Sequence, residues 1–183
     1  VEVGVVIDLF LSYRAIGAWN DMIRLKDLMS TPLQASVMVQ EQFALALNRS
    51  GRGEDAELVL LQLVSRRGPS SETFGILDRV YKDRWHAAVQ AGNTTLAREL
   101  LDEAIDAYLS GFEADWRDAY PGINALALME LRDPSDDRIR EILPVVKYSV
   151  KRRLASGNSN YWVHATLMEL AVLGGDEAAA ADA

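Results

Sequence analysis

The groups in this chain that could do chemistry are two histidines, a set of closely spaced carboxylates and one basic run. His86 and His164 are far apart, and a metal or acid–base site would need both brought together with carboxylates. His86 directly follows Trp85 and His164 lies two residues after Trp162, both in helical patterns, so surface or half-buried histidines are the simpler reading. Glu99, Asp102, Glu103 and Asp106 recur at helical spacing. Paired carboxylates there could transfer protons or hold a cation, but the same spacing describes a solvated helix face. Lys147, Lys151, Arg152 and Arg153 form the one basic cluster. It suits an acidic segment of a partner or of the same chain, or a helix C-terminus, where cations are favoured in any case. Ser12, Ser36 and the other serines have no nucleophile elbow or His–Asp context. Gly51-Arg52-Gly53 lacks the spacing and preceding strand of a phosphate loop. Tyr81, Trp85, Trp116 and Trp162 are expected in the core rather than in a ligand cage.

Cysteine is absent from the 183 residues, which removes disulfides, thiolate metal sites and cysteine nucleophiles and fits a cytoplasmic protein. No cofactor and no specific transition-metal site are expected. The formal net charge is −8, whereas phosphate binding needs a basic surface, so neither nucleic acid nor an anionic membrane is an expected partner. Hydrophobic residues make up 49% and charged residues 25%, which suits one globular domain with a real core. No apolar run approaches the roughly 20 residues of a spanning helix. The chain opens without Met and stops in an alanine-rich helical pattern, so residues 1–183 are read as a single domain excised from a longer chain.

The elements that must position these groups are helices. Residues 3–16 carry Val6, Leu9, Phe10 and Tyr13 on a helical face, although the β-branched 3–7 also suits a strand. Gly17 breaks this element, and Asn20 is the expected N-cap of a second helix. Thr31-Pro32 then opens a third, running to about Ser50 with Val39, Phe43, Ala46 and Leu47 inward. Gly51-Arg52-Gly53 is a tight turn into 54–67, which Gly68-Pro69 ends. Ser70 or Ser71 caps a long helix striped by Phe74, Leu77, Tyr81, Trp85 and Ala88. Gly92 ends that helix and Asn93 caps the next.

The stretch 96–131 organises the rest. Leu100, Ala104, Ala107 and Tyr108 fall near one face, opposite the acidic stripe. After an acidic, aromatic turn, Pro121 is expected at the first position of a second helix. Asp133-Pro134-Ser135 is the next break. Ile139, Ile142, Val146, Val150 and Leu154 then line one face, and Pro144 within it predicts a kink or two shorter helices. Gly157-Asn158-Ser159 is a loop, 161–173 a helix, Gly174-Gly175 a turn, and Asp176 the start of a truncated last helix. The total is about ten helices in antiparallel hairpins.

Hairpins in series invite a search for a fixed period. Ala44 and Ala56 are twelve residues apart across the Gly51–Gly53 turn, as are Trp85 and Ala97, and Trp162 precedes Ala178 by sixteen. These spacings match the small crossing positions and first aromatic of a 34-residue tetratricopeptide unit. A right-handed tetratricopeptide-like solenoid is therefore the expected fold, with an irregular helical bundle as the alternative.

Five runs then carry a resemblance: Leu11-Ser12-Tyr13-Arg14, Phe43-Ala44-Leu45-Ala46-Leu47-Asn48-Arg49, Arg79-Val80-Tyr81-Lys82-Asp83, Tyr120-Pro121-Gly122-Ile123-Asn124 and Asn160-Tyr161-Trp162. In this order and rough spacing the chain resembles the central regulatory, TRAF-binding region of apoptosis signal-regulating kinases, a class of MAP kinase kinase kinases. The resemblance spans nearly the whole chain. It implies a tetratricopeptide-like solenoid, non-catalytic in itself, that recruits partner proteins and positions neighbouring domains. The chain carries no kinase domain, and its acidic, alanine-rich character points to a bacterial relative.

The reading that follows is a cytoplasmic, non-catalytic scaffold that binds a partner protein or clamps a flanking domain of its own chain. The alternatives are a carboxylate-based hydrolase and a purely structural spacer or oligomerisation unit. Candidate partner-binding residues are Arg14, Arg49, Lys147, Lys151 and Arg152. The motif Tyr120–Asn124 is expected to be an architectural pivot, with Tyr120 filling the gap between hairpins, Gly122 admitting a neighbouring helix and Asn124 enclosed and hydrogen-bonded. Its rival is a motif lying open in the groove against the partner.

Overall fold

The computed structural model of the chain describes residues 2–132, 134–157 and 161–175, the side chains of 161–163 excepted. Among them there are ten helices and no strand. They are α1 (Val3–Ala15), α2 (Trp19–Leu28), α3 (Thr31–Gln34), α4 (Val37–Arg49), α5 (Gly53–Arg67), α6 (Ser71–Gln90), α7 (Thr94–Ala114), α8 (Ala119–Glu130), α9 (Ile139–Ala155) and α10 (Tyr161–Leu173). The β-branched opening is helical. The expected truncated last helix, with Asp176 and Ala178, and the Asn158-Ser159 part of the loop lie outside the described residues.

Turn chemistry sets the helix ends. At the close of α6 the Asn93 N–H donates to the Ala88 carbonyl at 2.9 Å and the Gly92 N–H to Val89 at 3.0 Å, with Gly92 at φ 69°. This is the left-handed stop that glycine adopts without a Cβ penalty. Asn93 then caps α7, its Oδ1 accepting from the Leu96 N–H at 3.2 Å. Ser70, not Ser71, caps α6 through the Thr73 N–H.

Four expected boundaries move. Asn20 lies inside α2, whose N-cap is Ala18; starting the helix at Trp19 sets that ring against the core of Phe10 and Met22. The helix expected from Thr31 to Ser50 is two, α3 and α4. The Ser36 hydroxyl takes the Leu33 carbonyl at 2.8 Å, and the Gln40 amide takes that of Gln34. These side chains satisfy carbonyls that a continuous helix would need for its own ladder. Pro121 is the third residue of α8, because Asp118 caps the helix by accepting from the Tyr120 N–H at 3.2 Å. A proline within the first turn still sacrifices no ladder bond. Finally, α9 runs as one helix through Pro144; that residue is exposed, so its ring displaces no packed side chain.

Most helices pack mainly on their sequence neighbours, but α2 packs chiefly on α4 across the short α3, and α4 also touches α6 and α8 also touches α10. Ala44 and Ala56, the pair twelve apart, are both fully buried where α4 crosses α5. One apolar core runs from α4 to α10; a second, around Phe10, Met22, Met29, Val39 and Ala46, gathers α1, α2 and α4. Ile23 and Phe43 touch both. Within the larger core α6 buries the carboxyl of Asp78 beside the Tyr108 hydroxyl, and its Oδ2 has no hydrogen-bond partner among the described residues. Burial pushes this carboxyl up to about 8.

Candidate functional site

The α7–α8 turn is built from its own charges. Asp115 accepts from the Arg117 backbone N–H at 3.2 Å and from its guanidinium at 2.7 and 3.1 Å. These bonds hold the Asp115 carboxyl below its ordinary value. The turn is latched to α9, where the Ser149 hydroxyl donates to the Trp116 carbonyl and the Trp116 and Tyr148 rings stack with centroids 6.2 Å apart. Both rings nevertheless face outward, Trp116 being 48% and Tyr148 55% exposed. The expected core position of Trp116 is therefore corrected; Tyr81 is buried and Trp85 half-buried as its helical stripe implies.

Behind the turn, α8 lies close against α7 and α9. A Cβ on Gly122 would fall 2.6 Å from Val146 Cγ2 and 3.0 Å from Phe112 Cδ2, so only glycine fits this approach. The expectation for Gly122 stands, as does the hydrogen bond expected of Asn124; the enclosure expected of Tyr120 and Asn124 does not. Tyr120 is 51% exposed rather than plugged between hairpins, and Asn124 is half-buried, its amide donating to the Tyr120 carbonyl at 2.8 Å. Because α8 begins at Ala119, the packed face is Gly122, Ala125, Leu126 and Met129, and residues 120 and 124, four apart, share the outer face.

That outer face opens onto a pocket of about 580 Å³ between α8, α9 and α10. Ala119, Ile123, Val150 and Ala165 give it apolar wall, and Tyr120, Asn124, Thr166, Arg153, Asp118 and Glu169 supply polar groups. A groove of about 370 Å³ adjoins it, lined by Trp116, Arg117, Ser149, Arg152, Arg153 and Ser156. Arg153 borders both. Together they form a shelf of exposed aromatic rings and arginines around an apolar recess.

The candidate residues distribute unequally over this surface. Arg152 lines the groove; Lys151 is exposed on the same helix but lines neither cavity. Lys147 points elsewhere: a Cβ on Gly174 would meet its Nζ at 2.6 Å, so the ammonium lies over the C-terminal end of α10. Arg14 and Arg49, distant in sequence, do come together. They border an open depression of about 680 Å³ with Leu11, Trp19 and Leu45, between α1, α2 and α4. Arg153 belongs to the basic cluster but not to the partner-binding candidates; the core position expected of Trp116 gives way to exposure, and for Tyr120 the exposed ring favours the rival reading of an open motif. The signal for Arg153 is its spacing of three from inward Val150, which turns it toward α8.

The carboxylates are structural. Asp102 pairs with Arg132 at 3.1 Å and Asp106 with Arg138 at 3.0 Å. Both arginines also reach the buried carboxylate of Asp136, at 2.7 and 2.8 Å. Hydrogen bonds from Arg138 hold Asp136 well below the usual carboxylate range. The stripe on α7 is thus partly a clamp for the α8–α9 connection and not only a solvated face. His86 is exposed and its ring lies 4.6 Å from that of Trp85; His164, on α10, is exposed too. Among the described residues no group of three His, Asp or Glu side chains is placed to hold a metal ion, and no helix is long and apolar enough to cross a membrane.

An all-helical chain whose most developed surface is a recess rimmed by rings and arginines has the features of a protein-docking module. The profile of the MAP3K TRAFs-binding domain matches residues 1–183, and the chain belongs to that family. It is 30% identical over 185 residues to mitogen-activated protein kinase kinase kinase nsy-1 of Caenorhabditis elegans, covering 90% of this chain and 12% of the relative. It is 28% identical over 187 residues to mitogen-activated protein kinase kinase kinase 15 of Mus musculus, covering 94% of this chain and 13% of the relative. The chain thus spans roughly an eighth of the length of these curated relatives.

Proposed function

We propose that this chain is a non-catalytic, cytoplasmic scaffold that docks a partner protein, with the shelf between α8, α9 and α10 as its contact surface. Membership of the TRAFs-binding family supports a protein partner, and the family's description makes a TRAF-type protein the first to try. The observation that carries the choice of surface is Tyr120: a helix with a fully packed opposite face leaves this ring half in solvent, at the mouth of the recess between α8, α9 and α10. Large rings and arginines are the residues that dominate protein interfaces. The sequential helix packing and the buried Ala44–Ala56 crossing support a tetratricopeptide-like solenoid as the scaffold, one domain within a longer protein. The acidic, alanine-rich composition supports a bacterial member.

The test is site-specific photo-cross-linking in the source cells, using the full-length protein. A photoreactive residue at Trp116 should give a discrete protein adduct that Tyr120→Ala removes, while the same residue at exposed Leu58 on α5 gives none. Equal adducts from both positions, or none from position 116, would refute the assignment. Tyr120→Ala should itself unfold at a near-normal denaturant midpoint, since half of the ring is already in water.

A further inference from the structure

Some of the arginines of this molecule are committed to carboxylates and others, those of the shelf among them, are not. Arg52, Arg84, Arg117, Arg132 and Arg138 each hold a carboxylate. Arg152 and Arg153 on the shelf form no ion pair among the described residues, and neither does Lys151 beside them. They sit in a chain of net charge −8. An acidic ligand is therefore disfavoured by the overall charge and drawn to places where unpaired cations gather; on the shelf such cations adjoin an apolar recess and exposed rings, the arrangement that steers association and fixes orientation.

From this we infer that the shelf takes a short acidic segment of the partner, with an apolar side chain seated beside Tyr120 and its carboxylates on Arg152 and Arg153. The assignment rests on the reading of the chain as a docking module and adds the chemistry of the partner. The recess supplies apolar wall from Ala119, Ile123, Val150 and Ala165, so the segment needs an aliphatic or aromatic anchor as well as charge. The two acidic residues at the rim do not oppose this. Asp118 is committed to capping α8, and Glu169, on α10, lines the recess together with Arg153 but not the adjoining arginine groove. The groove side carries Arg117, Arg152 and Arg153, with the guanidinium of Arg117 held by Asp115. Guanidinium groups bind carboxylates in two-pronged fashion, and the exposed face of Trp116 gives the segment a surface to lie on.

Fluorescence anisotropy with labelled ten-residue probes tests this. The first probe is glutamate and aspartate around a central leucine; the second has serine for the leucine; the third has glutamine and asparagine for the acids. The first should bind saturably, and each of the others at least about tenfold more weakly. The double variant Arg152→Glu/Arg153→Glu, and separately Tyr120→Ala, should each weaken the first probe at least about tenfold while retaining the helical circular dichroism of the parent. Arg66→Glu/Arg67→Glu changes net charge equally at the exposed end of α5 and should alter affinity less than about twofold. The inference is overturned by absence of saturable binding of the first probe, by equal binding of all three probes, or by equal weakening from the two double variants. If the cross-link at Trp116 survives while the acidic probe fails, the acidic-segment assignment falls and the docking reading stands. If the cross-link also fails, both fall.

Discussion

Replacing Gly122 by alanine isolates the close approach on which the shelf is mounted. The added methyl would lie 2.6 Å from Val146 Cγ2 on α9 and 3.0 and 3.2 Å from the Phe112 ring on α7. Neither neighbour can yield freely, because Val146 is fully buried and Phe112 nearly so. Overpacking of this kind costs about 1–3 kcal/mol, and alanine returns up to about 1 kcal/mol of helix propensity. The expected net loss is therefore about 1–2 kcal/mol. Urea denaturation should show it as a lower midpoint with an unchanged slope. Val146→Ala alone should cost about 2 kcal/mol by leaving a cavity. In the double variant the new methyl occupies part of that cavity, so the losses should fall short of additivity by about 1 kcal/mol. The Phe112 contact remains, so rescue is partial. A Gly122→Ala protein as stable as the parent, or a double variant whose losses simply add, would refute the account of α8 held against α9 by this one missing side chain.

Two further outcomes concern buried charge. Asp78 has a native pKa raised to about 8, so the folded state binds a proton that the unfolded state has released, and stability falls as pH rises from about 4 to 8. Asp78→Asn should remove that slope, stabilising the protein at pH 7 by about 1–4 kcal/mol and by little near pH 4, as read from denaturation at the two pH values. Asp136 has the opposite sign: its native pKa is depressed, so its contribution is complete above the unfolded value and is lost as pH falls through the native one. Asp136→Asn should cost about 2 kcal/mol at pH 7, with the gap to the parent narrowing steadily below about pH 4.

The helices were legible where local chemistry decides them. The Gly92-Asn93 stop and cap, the Gly51 turn and the Ser70 cap each follow from residues within a few positions of one another. What local rules missed were competitions. Ser36 and Gln40 reach back to carbonyls and divide a helix whose apolar periodicity runs on unbroken. Asp118 outranks Pro121 as the start of α8, and that shift of two residues rotates Tyr120 from the packed face to the open one. The site was half legible for the same reason. The basic run was visible, and Arg14 was named with Arg49. That Lys147 turns toward α10, and that Trp116 lies flat on Tyr148 instead of entering the core, depends on how α9 meets its neighbours, which no spacing within one helix encodes.

Among the described residues the two apolar cores meet through α2 and α4, where Ile23 and Phe43 pack against both. Such a seam divides the chain's cooperativity. Helices α1 to α3 rest on the small cluster, to which α4 contributes Val39 and Ala46 and α5 to α8 contribute no residue. The Arg14–Arg49 depression lies beside that cluster. The shelf, bounded by α8, α9 and α10, draws on the larger core. The two surfaces thus rest on different cores, so a truncation in either core bears first on the surface above it.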